Sequence, residues 1–131
     1  MRVFVAVNPT DEERARLDEA SRPLREAGYP VRWLPPENVH LTLKFLGEVT
    51  DEQADEVTAA VAEAVAGLGS FDMTVSGFGA FPSPKRPSVV WAGIEADEAL
   101  RAVHERVESA LESIGFPRET RPFRPHLTIG R

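Results

Sequence analysis

Three histidines occur in the chain, and two of them head nearly the same tetrapeptide: His40-Leu41-Thr42-Leu43 and His126-Leu127-Thr128-Ile129. One such tetrapeptide arises by chance in roughly one chain in a hundred of this length. Two copies demand an explanation. Side chains of a strand alternate between its faces, so each histidine shares a face with its threonine while the aliphatic residues take the other. If the two strands lie side by side, two imidazoles and two hydroxyls are offered together. One imidazole can accept a proton and the other can donate one. The hydroxyls of Thr42 and Thr128 can hold phosphate oxygens for in-line attack by water or a ribose hydroxyl. No nucleophilic side chain is needed. Two histidines without a nearby carboxylate or cysteine make an incomplete metal site, so no metal is expected. His104 has no companion motif and reads as a surface or boundary residue on a helix.

The elements that must position these residues can be read along the chain. Val3 to Val7 is a short apolar strand. Thr10-Asp11-Glu12-Glu13 starts a helix that runs to about Gly28, with a break predicted at Pro23. Val31 to Leu34 reads as a second short strand, Pro35 to Asn38 as an extended turn, and Val39 to Leu46 as the strand of the first motif. Thr50-Asp51-Glu52-Gln53 caps a helix with Ala54, Val57, Val61, Ala64 and Leu68 at helical spacing, ended by Gly67 and Gly69. Phe71 to Phe78 alternates as a strand, Pro82 to Pro87 reads as a loop, and Ser88 to Ile94 as another strand. Asp97 caps a third helix, which buries Leu100, Val103, Val107, Leu111 and Ile114 and ends at Gly115. A proline- and arginine-rich loop, Pro117 to Pro125, leads into the last strand, His126 to Ile129. This order predicts an α+β fold. A weak internal repeat, strand–helix–strand ending at each His-x-Thr, predicts two pseudo-symmetric β-sheet lobes with outer helices and a central cleft.

Bulk properties narrow the function. The chain has 131 residues, 42% of them hydrophobic, enough for one domain or two small fused lobes. Its apolar runs are too short to span a bilayer. It has no cysteine, which excludes disulfides, thiolate zinc sites and a cysteine nucleophile, and fits a cytoplasmic protein. A net charge of −6 argues against a general nucleic-acid coat. The charge is uneven, however. The stretch Glu48 to Glu63 carries six acids and no base, whereas Phe116 to Arg131 carries Arg118, Arg121, Arg124 and Arg131 against Glu119 alone. Positive charge beside the second motif suits a small anion or a strand end better than a long duplex.

With these motifs in view, the chain resembles the 2H phosphoesterases of the 2′-5′ RNA ligase-like group, regarded chiefly as RNA 2′,3′-cyclic phosphodiesterases. The resemblance runs the length of the chain, through Arg2 to Val7, Pro36 to Gly47, a turn at Gly79-Ala80-Phe81-Pro82, and Phe123 to Arg131. It implies a bilobal α+β fold with the motifs lining a cleft. It also implies that His40 is the general acid for the leaving ribose oxygen, His126 the base that activates water, and Thr42 and Thr128 the phosphate ligands. Cyclic phosphate would then open to a 2′-phosphate, without metal or cofactor. The partners implied are RNA ends or cyclic nucleotides, tRNA fragments among them, and no membrane; oligomeric state stays open. Alternation alone does not fix which histidine is acid.

Weaker candidates surround the pair. Arg131 and Lys44 could add positive charge near a phosphate, although Lys44 could equally be exposed. Arg124 could bind RNA or only solvate a loop. Phe4 could present its ring to a base, though its strand suits a core residue. Residues 1–131 are expected to form a single domain, short at its C-terminal side relative to the family because Arg131 follows directly on the second motif. Strands whose partners are missing would leave an open edge. The same pocket could instead serve a non-catalytic nucleotide- or RNA-binding module, or a 2′-5′ RNA ligase.

Overall fold

The computed structural model describes residues 1–131. Its elements are β1 (Arg2–Val7), α1 (Asp11–Ala20), α2 (Arg22–Glu26), a 3-10 turn (Pro36–Asn38), β2 (Leu41–Glu48), α3 (Asp51–Val65), β3 (Val75–Ser83), β4 (Arg86–Ile94), α4 (Glu98–Glu112) and β5 (His126–Gly130). The strands are hydrogen-bonded in the order β1-β2-β5-β4-β3, so this is a mixed α and β fold on a five-stranded sheet. The open edges are β1 and β3. The last strand, β5, lies inside the sheet and pairs antiparallel with both β2 and β4.

The helices start where their caps lie. The Thr50 hydroxyl accepts from the Gln53 amide at 3.1 Å, and the Gln53 side chain accepts from the Thr50 amide at 2.9 Å, a complete capping box. Thr10 and Asp97 cap α1 and α4 through Glu13 and Leu100. The expected first helix is two short helices, because α1 stops at Ala20 and α2 restarts with Pro23 in its first turn.

Chain contacts divide the molecule into two compact units. One comprises Met1–Ala6, Thr42–Thr74 and Glu95–Arg124. There α4 packs on α3, burying Leu100, Val107 and Leu111 completely, with Val57 from α3 at 3% exposure. Each such aliphatic side chain contributes about 1.5–3 kcal/mol when taken out of water. The other unit comprises Val7–Leu41, Val75–Ile94 and Pro125–Arg131. Its core is Leu41, Val90, Ala92, Ile94, Leu127 and Ile129.

Three local expectations need correction. Val31 to Leu34 is not a regular strand: only Trp33 bridges to Gly130, with backbone bonds from Leu34 N to Ile129 O and between Arg32 and Arg131 in both directions. Phe71 to Phe78 does not begin a strand until Val75, because Val75 faces Ile94, the end of β4. The Pro82 to Pro87 loop and the Gly79 to Pro82 turn are mostly hairpin. Pro82 faces Pro87 and Ser83 faces Arg86, leaving only Pro84 and Lys85 to turn. Pro82 is tolerated because β3 is an edge strand, and Pro87 because it lies at the start of β4, ahead of Val90–Gly93, which pair with β5.

Candidate active site

Burial along the two motifs alternates strictly. Val39, Leu41 and Leu43 are buried, as are Leu127 and Ile129, while His40, Thr42, His126 and Thr128 between them are half-buried. Leu41, fully buried, faces Leu127 at 3% exposure across an antiparallel pair. Directly opposed residues share a face, so their immediate neighbours share the other. His40 therefore stands across from Thr128 on the half-buried face. His126 is its diagonal neighbour, a position that regular ladder geometry sets about 7–8 Å away. Thr42, the second residue of β2, is half-buried like His40.

Two aromatic rings that the sequence reading passed over stand beside His126. The Trp91 ring centre lies 6.2 Å from the imidazole and the Phe81 ring 6.1 Å away, edge to face at 78°. Phe81 and Trp91 are 5.4 Å apart. Cross-strand register explains the grouping, since Gly93 faces His126 and Trp91 faces Thr128 on one side and Gly79 on the other. The indole lies where Gly79 has no side chain: a Cβ there would come within 2.3 Å of Trp91 Cη2 and Cζ2. Gly93 is similarly closed, a Cβ meeting Ser76 O at 2.8 Å and Trp91 Cζ3 at 3.5 Å. Two glycines flanking a tryptophan's place in a strand pair were the available signal, since strand glycines mark close approaches. Trp91 Nε1 is buried with no acceptor, which costs about 1–3 kcal/mol. Gly79→Ala should therefore displace the indole and destabilise the protein by about 1–3 kcal/mol, the usual cost of overpacking. Thermal unfolding checks this; an unchanged Tm would mean that the ring relaxes freely.

His40 sits in a positive environment. Burial pushes its pKa below 6.5, and the charges of Arg131 and Arg14 add to that, opposed by a hydrogen bond with the Asn38 backbone. Arg14 was not anticipated; its Nε donates to Val39 O at 3.0 Å, tying α1 to the residue before His40. Arg131 is exposed, its backbone fixed by the two bonds to Arg32.

The weaker candidates fall elsewhere. Lys44 is not exposed. Its Nζ lies 2.6 Å from Glu108 Oε1 and donates to Pro117 O at 2.8 Å, so its charge is already engaged. Phe4 is not a core residue: it is 45% exposed and lies 6.1 Å from Phe45, itself 73% exposed. Arg124 is exposed. His104, half-buried, stacks on Phe123 with ring centres 3.9 Å apart. No group of three or more His, Asp and Glu side chains converges to hold a metal.

A family profile described as LigT like Phosphoesterase matches residues 7–91. A Thermotoga maritima protein named RNA 2′,3′-cyclic phosphodiesterase is 37% identical over 131 residues, all of this chain and 70% of that protein. The crystal structure of TT0787 of Thermus thermophilus superimposes with a TM-score of 0.82 at 34% identity, covering 100% of this chain and 74% of that one. Escherichia coli LigT, solved in complex with 3′-AMP, superimposes with a TM-score of 0.72 at 26% identity, covering 99% and 72%.

Proposed function

The chain belongs to the LigT-like phosphoesterase family, and on that premise we propose that it hydrolyses RNA or nucleoside 2′,3′-cyclic phosphates to 2′-phosphates. The observation that most supports this reading is the antiparallel facing of Leu41 and Leu127, the residues that directly follow His40 and His126. His126 removes a proton from water, and the water oxygen attacks phosphorus. The bond from phosphorus to the ribose 3′ oxygen breaks, and His40 supplies the proton which that oxygen takes up. Thr42 and Thr128 hold the non-bridging oxygens, and Arg131 and Arg14 add positive charge. Arg124 and Phe4, both exposed, are candidates for contact with the rest of the RNA end. The activity for which the Thermotoga maritima relative is named and the 3′-AMP complex of Escherichia coli LigT support a nucleotide substrate. RNA ends such as those of tRNA fragments fit the same chemistry. No helix is long and apolar enough to cross a membrane, and a cytoplasmic site of action is part of the proposal. We read residues 1–131 as one functional domain.

Incubation with adenosine 2′,3′-cyclic phosphate, followed by phosphorus NMR, tests the reading. The 2′-phosphate should accumulate; a substrate left intact, or a 3′-phosphate as the product, would refute it. Because proton transfer falls to the two imidazoles, the rate should be unchanged in excess EDTA. Loss of activity on chelation, restored by manganese or zinc, would exclude this mechanism.

A further inference from the structure

We propose that Phe81, backed by Trp91, is a stacking subsite for the terminal nucleobase of the substrate. The proposal rests on the reading above for its ligand class. Phe81 is an apolar ring left 48% exposed. It is nonetheless held, tilted against Trp91 at 5.4 Å and perpendicular to the His126 imidazole at 6.1 Å. Trp91 is fixed in turn by the space that Gly79 and Gly93 leave open. A half-exposed aromatic ring packed beside an imidazole read as phosphate-handling suits a planar ligand attached to that phosphate. Every base has a π face, so stacking binds without reading sequence, as an enzyme acting on varied RNA ends requires. A ring already packed against Trp91 and His126 has less conformational freedom to lose when the base arrives.

Phe81→Leu keeps an apolar side chain of similar bulk and removes the π face; Phe81→Tyr restores it. Steady-state kinetics on adenosine 2′,3′-cyclic phosphate and on the base-free ribose 2,3-cyclic phosphate separate the roles. For the nucleotide, Phe81→Leu should raise KM by about 5- to 150-fold, the range spanned by base–aromatic stacking. Its kcat should change less than about threefold, and Phe81→Tyr should stay near the unsubstituted enzyme. For the base-free substrate, Phe81→Leu should have no effect. Equal losses on both substrates, or a fall in kcat with KM unchanged, would make Phe81 a positioning residue for His126 and overturn the subsite. Calorimetric binding of adenosine 2′-phosphate needs no turnover. If the unsubstituted protein proves inactive yet binds this nucleotide more tightly than Phe81→Leu does, the hydrolytic reading fails and the subsite stands. Equal binding by both overturns the subsite.

Discussion

Replacing His40 or His126 by alanine is expected to slow hydrolysis of a nucleoside 2′,3′-cyclic phosphate by about 10²–10⁴-fold in each case. The double substitution should cost far less than the product of the two, because a donor and an acceptor that act in one transition state are not additive. The pH profile then separates their roles. An acid must be protonated, so activity that needs His40 as acid is lost as pH rises through its pKa. Burial and the charges of Arg131 and Arg14 hold that pKa below 6.5 in the free protein. The alkaline limb of kcat/KM should therefore fall on the acid side of an ordinary histidine's titration, and a bound phosphate anion should move the limb of kcat upward. His40→Ala should abolish the alkaline limb and leave the acidic one; His126→Ala should do the reverse. The opposite pattern would exchange acid and base, and two unaffected limbs would remove both residues from proton transfer. His104→Ala should change the rate little, since its ring is spent in stacking on Phe123.

What could be read from the sequence follows from how local each signal is. Alternation and capping involve neighbours in the chain, so the faces of His40, Thr42, His126 and Thr128 and the caps at Thr10, Thr50 and Asp97 were legible. Register between distant strands was not. Trp91 and Phe81 reach His126 only because β4 pairs with both β5 and β3, and no spacing within one strand encodes that. Lys44 illustrates the converse. Alternation assigns it the face of Thr42, yet a carboxylate from α4 covers it, and a charged residue in a strand does not announce a partner 64 positions away. Phe4 looked like core because edge position is a property of the sheet, not of the strand; β1 turns out to be an edge.

The Lys44–Glu108 pair supplies the largest expected effect on stability. Both side chains are nearly inaccessible, at 7% and 4% exposure. The Glu108 carboxylate also accepts the Glu119 amide at 2.8 Å, while Lys44 donates to Pro117 O. Together they fasten the start of the arginine-rich loop that leads to His126. Burial alone would raise the Glu108 pKa, but the hydrogen bonds from Lys44 and Glu119 outweigh it and the net shift is downward. Its contribution is therefore present above the ordinary carboxylate range and is lost as pH falls through the lowered pKa. Lys44→Met leaves a buried carboxylate unpaired and should cost about 3–5 kcal/mol, a large part of a typical total of about 5–15 kcal/mol. Lys44→Met with Glu108→Leu should recover most of that loss, because a desolvated pair gains little over an apolar one of similar volume. Urea denaturation of the single and double variants measures both numbers. The unsubstituted protein should also lose stability in acid more steeply than the double variant does. A single variant as stable as the parent would mean that water reaches Glu108 and that the pair does not fasten the loop.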